Sequence, residues 1–144
     1  MSASAVCVDA SYVVRMFLGP DDAEAWEQWE TWLSEGRGIH APHLLAYEVA
    51  NALYRYHRAG YLSLAAVELA LDAALGLPLR LESPGALHLA AVRLAADLGL
   101  PATCDAHYLG LARHHDAELW TADARLAREV GDVEARVRLL GSRH

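Results

Sequence analysis

The chain has 144 residues, enough for a single domain spanning 1–144 whose hydrophobic core needs no disulfide or structural metal. Apolar residues make up 54% and charged residues 22%, which excludes a disordered polyelectrolyte. The net charge is −7 and all 12 basic residues are arginines, so a generally basic surface for coating nucleic acid is excluded, whereas local arginines facing phosphate are not.

The N-terminal apolar run Ala5 to Leu18 is interrupted by Asp9 and Arg15, and no basic region precedes it, so it does not read as a secretory signal. The Ala/Leu-rich stretch Leu62 to Leu79 carries Glu68 and Asp72 and is too polar to span a bilayer. A cytoplasmic protein without a membrane partner is expected. Cys7 and Cys104 lack metal-ligand spacing and are expected to be buried, reduced thiols.

In chain order, Ala5-Val6-Cys7-Val8 is a short apolar run ending at Asp9, the pattern of a parallel strand buried on both faces. A helix is predicted from Ser11 to about Leu18, stopped by Gly19-Pro20. Asp21-Asp22 open a second helix running to about Ser34, with acidic groups at the positive end of its macrodipole. Trp26, Trp29 and Trp32 recur on it, a stripe that suits core, a dimer contact or a partner's groove. Gly38 to Ala41 reads as a second strand, ended by Pro42.

The segment His43 to Arg58 is helical, with Leu44, Leu45, Val49, Ala52, Leu53 and Tyr56 in a 3.6-residue period and Gly60 beyond its end. Ser63 caps another helix that continues to about Leu75. Leu79 to Leu81 is a third strand. Pro84-Gly85 introduce a helix ending near Leu98-Gly99, and Pro101 and Thr103 introduce one ending near His114. Glu118 to Thr121 is a fourth strand, Asp123 opens a short helix to about Val130, and Val137 to Leu139 is an edge strand. Strands alternating with helices predict an α/β domain around a parallel sheet.

Ligands of open parallel sheets bind beyond the carboxyl ends of the strands. Asp9 ends the first strand and Asp123 follows the fourth, so both reach one cleft, although each also suits a helix N-cap. Asp105 lies in the first turn of a helix, where the macrodipole favours a carboxylate whatever its function. Glu48 is the odd residue on an apolar helix and calls for a partner there; Asn51, three residues on, shares its face. Converging carboxylates select a hard cation, Mg²⁺ or Mn²⁺, and raise one another's pKa without it. The adjacent His114-His115-Asp116 do not share a helix face and read as ordinary residues of a helix end. Arg15, Arg55, Arg58 and Arg125 are candidate phosphate contacts, and His43 a candidate contact to the same ligand.

Four segments together resemble the PIN-domain family, most closely the VapC-type toxins of bacterial and archaeal toxin–antitoxin pairs. They are Val6 to Ser11, Leu44 to Leu53, Cys104 to Ala112 and Leu119 to Leu126, in the family order across nearly the whole chain. The resemblance implies a three-layer α/β/α sandwich with a central parallel sheet of four to five strands. It implies Mg²⁺- or Mn²⁺-dependent endonucleolytic cleavage of RNA, leaving 5′-phosphate and 3′-hydroxyl ends. Carried over by position, Asp9, Glu48, Asp105 and Asp123 match the catalytic, metal-binding quartet. Thr121 matches a hydroxyl residue of the site and Asn51 the family's helical asparagine. Ser11 is a supporting group or, more in keeping with its position, a helix cap. Cys104 and His107 depart from the family's usual residues without touching the quartet. An antitoxin partner and a homodimer are implied in the same way; the helix Ser63 to Leu75 suits a dimer contact or the core.

Two alternatives are open to the sequence. A catalytically inactive PIN-like module binding RNA or protein would not require all four acids. A phosphotransferase of the haloacid-dehalogenase type would carry a second aspartate two residues after Asp9, where Ser11 stands, and no Gly-rich phosphate loop is present.

Overall fold

The computed structural model describes residues 4–19, 23–131, 134 and 136–141. Among them, five short strands lie parallel in one sheet: β1 (Val6–Val8), β2 (Ile39–Ala41), β3 (Arg80–Leu81), β4 (Glu118–Thr121) and β5 (Val137–Leu139). Their order is β3-β2-β1-β4-β5. Both neighbours of β1 pair with it in register, Cys7 opposite His40 and Leu119, and Val8 opposite Trp120. All three residues of β1 are buried, as a strand covered on both faces requires.

The helices are α1 (Ala10–Leu18), α2 (Ala23–Ser34), α3 (Leu44–Arg58), α4 (Leu64–Leu75), α5 (Leu87–Leu98), α6 (Cys104–His114) and α7 (Ala124–Val130). Side chains of a strand alternate between faces, so Trp120 and Leu119 point to opposite sides. Trp120 meets Trp32 of α2 edge-on at 5.5 Å, while His40, in the row of Cys7 and Leu119, stacks on His115 at the end of α6. Helices therefore cover both faces, giving the α/β/α sandwich that the sequence pattern predicts.

Local chemistry sets the helix ends. The Asp9 carboxylate caps α1 by accepting from Tyr12 N at 3.0 Å, and the Ser63 hydroxyl caps α4 by accepting from Ala66 N at 3.1 Å. Helix α5 ends on Gly99, whose φ of 67° is a left-handed conformation that glycine adopts without strain, and Leu100 N returns to Ala95 O. A Cβ on Gly110 would stand 3.1 Å from Leu87 Cδ1, so glycine lets α5 lie close against α6.

Some sequence expectations change in detail. The start of the second helix at Asp21-Asp22 lies outside the described residues. Trp29 and Trp32 are core, each 1% exposed, because they pack on Tyr12 and on each other. Trp26 is half-buried and donates its indole N–H to Met16 O at 2.7 Å, so the stripe is not a free docking surface. Tyr56 is exposed although it continues the period of α3. Helix α4 buries only Val67 and Ala74 among its residues, leaving Leu64, Leu69 and Leu75 exposed. It is thus peripheral rather than core.

The two thiols differ. Cys7 is buried, and desolvation, helped by the charge of Glu82, pushes its thiol up to about 12. Cys104 is exposed at the start of α6, correcting the expectation of two buried thiols. Titration of the native protein with an aromatic disulfide reagent should show one fast-reacting thiol per chain. Cys104→Ser should remove it, and denaturant should reveal the second.

Candidate active site

The winding of the sheet reverses at β1. From it the chain runs outward through β2 and β3, then returns to the other side of β1 to place β4 and β5. Crossover segments leaving on opposite sides open a crevice at the carboxyl ends of β1 and β4. A cleft of about 900 Å³ lies there, and Asp9, Ser11, Glu48, Asn51, Asp105 and Asp123 all line it. Thr121 is fully buried beneath it at the end of β4. The four acids, Ser11, Asn51 and Thr121 are therefore in or directly under one cleft, whereas His107 is not among its lining residues.

Asp9 is the centre of a hydrogen-bonded junction between the two strand ends. Its amide donates to Trp120 O at 3.2 Å, extending the pairing of β1 with β4. Ser11 Oγ donates to Asp9 Oδ1 at 2.7 Å, and Thr121 Oγ1 donates to Asp9 Oδ2 at 2.5 Å. Ser11 Oγ also accepts from Ala122 N at 2.9 Å, and Thr121 Oγ1 accepts from Asp123 N at 3.0 Å. Ser11 is thus not the cap of α1. Asp9 is the cap, and Ser11 fixes its carboxylate. Asp123 likewise caps α7, accepting from Arg125 N at 2.9 Å and Leu126 N at 3.4 Å. The capping and cleft-lining positions of these two aspartates coincide, each cap accepting with Oδ1 while Oδ2 bonds another side chain, Thr121 for Asp9 and Arg125 for Asp123.

The other two carboxylates come from helices on opposite sides of the sheet. Leu45, Val49 and Leu53 anchor α3 in the core, which sets Glu48 half-buried beside them. Tyr108 of α6 donates its hydroxyl to Glu48 Oε1 at 2.5 Å. Burial, then that hydrogen bond and the Glu48 charge, drive the Tyr108 hydroxyl above its ordinary range, so it stays a donor. Asp105, one turn earlier on α6, is bonded by Arg125 Nη2 at 3.3 Å; the same nitrogen reaches Asp123 Oδ2 at 3.1 Å, while Nη1 reaches Glu129 at 3.1 Å. Arg125 is consequently tied to three carboxylates. Burial raises the Asp105 carboxyl despite the pull of Arg125, with the charge of Asp123 adding to the rise.

Tyr108 was not singled out by sequence reasoning as part of the site. Its signal was its place three residues after Asp105, hence on the same helix face. Of the candidate phosphate contacts, Arg15, Arg55 and Arg125 line the cleft, whereas Arg58 does not. His43 faces Ser83, with Nδ1 2.9 Å from its Oγ, and is not a cleft residue. His115, read from sequence as an ordinary helix-end residue, faces Glu82 and His40 away from the cleft.

A PIN-domain profile matches residues 6–131, which include all four carboxylates. The chain belongs to the PIN-domain family. The crystal structure of PAE2754 from Pyrobaculum aerophilum is similar to it at a TM-score of 0.64 and 25% identity, over 88% of this chain and 84% of that one. No curated protein matches the sequence. The PIN domain is a nuclease fold, and its members are generally hydrolases of nucleic acid. Among the described residues no helix is long and apolar enough to cross a membrane.

Burial is the main reason that Asp9 is raised from 3.8 to about 6, with the Thr121, Ser11 and Tyr12 hydrogen bonds opposing it and the charge of Asp105 a small addition. Repulsion among the acids, the cause expected from sequence, is the lesser one. Because the folded chain binds this proton more tightly than the unfolded chain, the stabilising contribution is complete below about pH 4 and is lost as the pH rises through about 6. Above that the ionised, buried carboxylate costs about 2–3 kcal/mol. Asparagine keeps the cap and carries no charge. In EDTA at about pH 8, Asp9→Asn should therefore melt several degrees above the wild type, with the gap closing near pH 4. Equal or lower stability of the variant at the higher pH would contradict a burial cost at Asp9.

Proposed function

We propose that this PIN domain is a Mg²⁺- or Mn²⁺-dependent endoribonuclease, and that it serves as a VapC-type toxin held in check by an antitoxin. The observation that carries this reading is the meeting of Asp9, Glu48, Asp105 and Asp123 around one cleft at the reversal of the sheet. An all-carboxylate donor set is hard and suits Mg²⁺ or Mn²⁺. Mg²⁺ keeps several waters and takes one or two carboxylates together with substrate phosphate. Asp9, Glu48, Asp105 and Asp123 would hold Mg²⁺ or Mn²⁺, directly or through the ion's waters, and the metal would lower the pKa of a water and offset charge on a phosphodiester.

The chain's own residues do the rest. Ser11, Thr121 and the amide of Tyr12 hold the Asp9 carboxylate in one orientation, and Tyr108 does so for Glu48. Arg125 offsets the like charges of Asp105 and Asp123. Arg15 and Arg55 on the cleft walls present guanidinium groups to substrate phosphates. Tyr47 and Tyr56, exposed at 75% and 43% on the same wall, offer ring faces on which unpaired bases stack. These features favour a single-stranded segment of RNA as substrate. A homodimer through α4 goes with this reading, supported by its exposed Leu64, Leu69 and Leu75, as does a cytoplasmic location.

Incubation of the purified protein with structured RNA and Mn²⁺ should give internal cleavage that excess EDTA abolishes, with small phosphate esters left intact. Asp9→Asn and Asp123→Asn should each lower the rate by more than the roughly 10–100-fold typical of losing a group that only supports a metal ligand. Thr121→Val and Tyr108→Phe should fall within that range. Activity that survives both aspartate substitutions or persists in EDTA defeats the proposal.

An inactive binding module is the second reading, favoured by the bonds of Arg125 to Asp105 and Asp123, which satisfy two of the acids with protein alone. RNA retention unaffected by Asp9→Asn, without cleavage at any Mn²⁺ concentration, would establish it.

A further inference from the structure

A second set of ligand-type side chains lies outside the acidic cleft and comes from three separate elements. His40 lies in the middle of β2, Glu82 directly follows β3, and His115 ends α6. Glu82 is 42 residues from His40 and 33 from His115 in sequence, yet one of its oxygens, Oε1, meets both rings. His40 Nδ1 approaches it at 3.0 Å, and His115 Nε2 meets the same oxygen. The three ligand atoms lie within 4.8 Å of one another, a grouping found here and not among the cleft carboxylates of the described residues.

The surroundings hold the rings for this purpose. The imidazoles stack at 4.1 Å between centroids, inclined by 32°. His40 is buried, and Gly38 leaves the room its ring needs, since a Cβ there would stand 2.9 Å from His40 Nε2. Glu82 and His115 keep side-chain exposures of 34% and 21%, so an ion has a route in and a water can complete its coordination.

Two imidazoles and one carboxylate form an intermediate donor set. Such a set suits Zn²⁺ and its transition-metal neighbours, whereas Mg²⁺ prefers oxygen alone. Around zinc, with ligands at about 2.0–2.1 Å, tetrahedral donors stand roughly 3.4 Å apart. Glu82 Oε1 stands closer than that to both nitrogens, and its partly exposed side chain is the ligand free to draw back as an ion enters between them. We propose that His40 Nδ1, Glu82 Oε1 and His115 Nε2 form a binding site for a zinc-class divalent ion, with water in the fourth position. The ion would clip the β2–β3 edge of the sheet to the end of the helix that carries Asp105 and Tyr108. This site is independent of the ribonuclease reading.

Co²⁺ serves as the probe, because its ligand-field absorption reports coordination directly. The full chain, stripped with EDTA and dialysed, is titrated with Co²⁺ in a large excess of Mg²⁺, with Zn²⁺ then added in competition. One equivalent should bind with nitrogen-containing, low-coordinate absorption and be displaced by Zn²⁺. The Asp9→Asn/Asp123→Asn protein should bind the same amount. Glu82→Gln and His115→Ala should each weaken binding at least about 100-fold. Circular dichroism identifies any variant that fails to fold, and the other then decides. Zn²⁺ should also raise the melting temperature of the wild type and not of these two variants. Absence of Co²⁺ binding, unchanged affinity in folded Glu82→Gln or His115→Ala, or loss of binding only in the double aspartate variant would overturn the site.

Discussion

Everything at the cleft depends on the pairing of β1 with β4. These neighbours in the sheet are distant in the chain, and they are where the winding changes sides. Parallel strands bond through a slanted ladder, and here the ladder runs past the strand end, from the amide of Asp9 to the carbonyl of Trp120. Ser11 and Thr121 then tie the Asp9 carboxylate to the first residues after β4. The acids are consequently fixed to the rigid centre of the fold, and α3 and α6 bring Glu48 and Asp105 in from either side.

That position has an energetic cost. Asp9 is a buried carboxylate among groups that lower its pKa only in part, so neutral pH charges a group that the interior disfavours. The amides of Tyr12, Ala122 and Asp123 are satisfied through the same two oxygens and two hydroxyls, which is why the arrangement persists. A locally unfavourable charge supported by a satisfied network is the usual condition of a reactive centre. Glu134 shows the opposite case at the far side of the sheet. Burial works against its charge, but hydrogen bonds from Arg113 and Arg136 outweigh it and hold the carboxyl below its ordinary range.

Most elements were legible in the sequence because local chemistry determines them. The strand Glu118 to Thr121, the Ser63 cap and the helix after Asp123 follow from a short, largely apolar run, a hydroxyl before an apolar period, and a carboxylate before one. That four acids share one cleft was legible because two of them stand at strand ends, one stands out on an apolar helix, and the family pattern supplies the fourth. What escaped the sequence was contact between distant segments. Tyr108 reaches Glu48 across 60 residues, and His115 meets a residue of another strand edge. Helical periodicity places a side chain on a face but does not say what stands opposite. The tryptophan stripe failed as a surface for the same reason, since only tertiary packing shows that Tyr12 and Trp120 close over it.

The connectors beside the cleft are very short. One residue, Asp9, separates β1 from α1, and two, Ala122 and Asp123, separate β4 from α7. Adding a residue to either would turn the following helix by about 100° and carry its first-turn groups out of line with the strand end. The turn between α3 and α4, by contrast, is exposed and bears Tyr61 at 76% exposure. Tolerance to insertion and deletion is thus unevenly distributed along the chain. The cleft floor is the part least tolerant of a change of length, whereas the outer loops can vary without moving it.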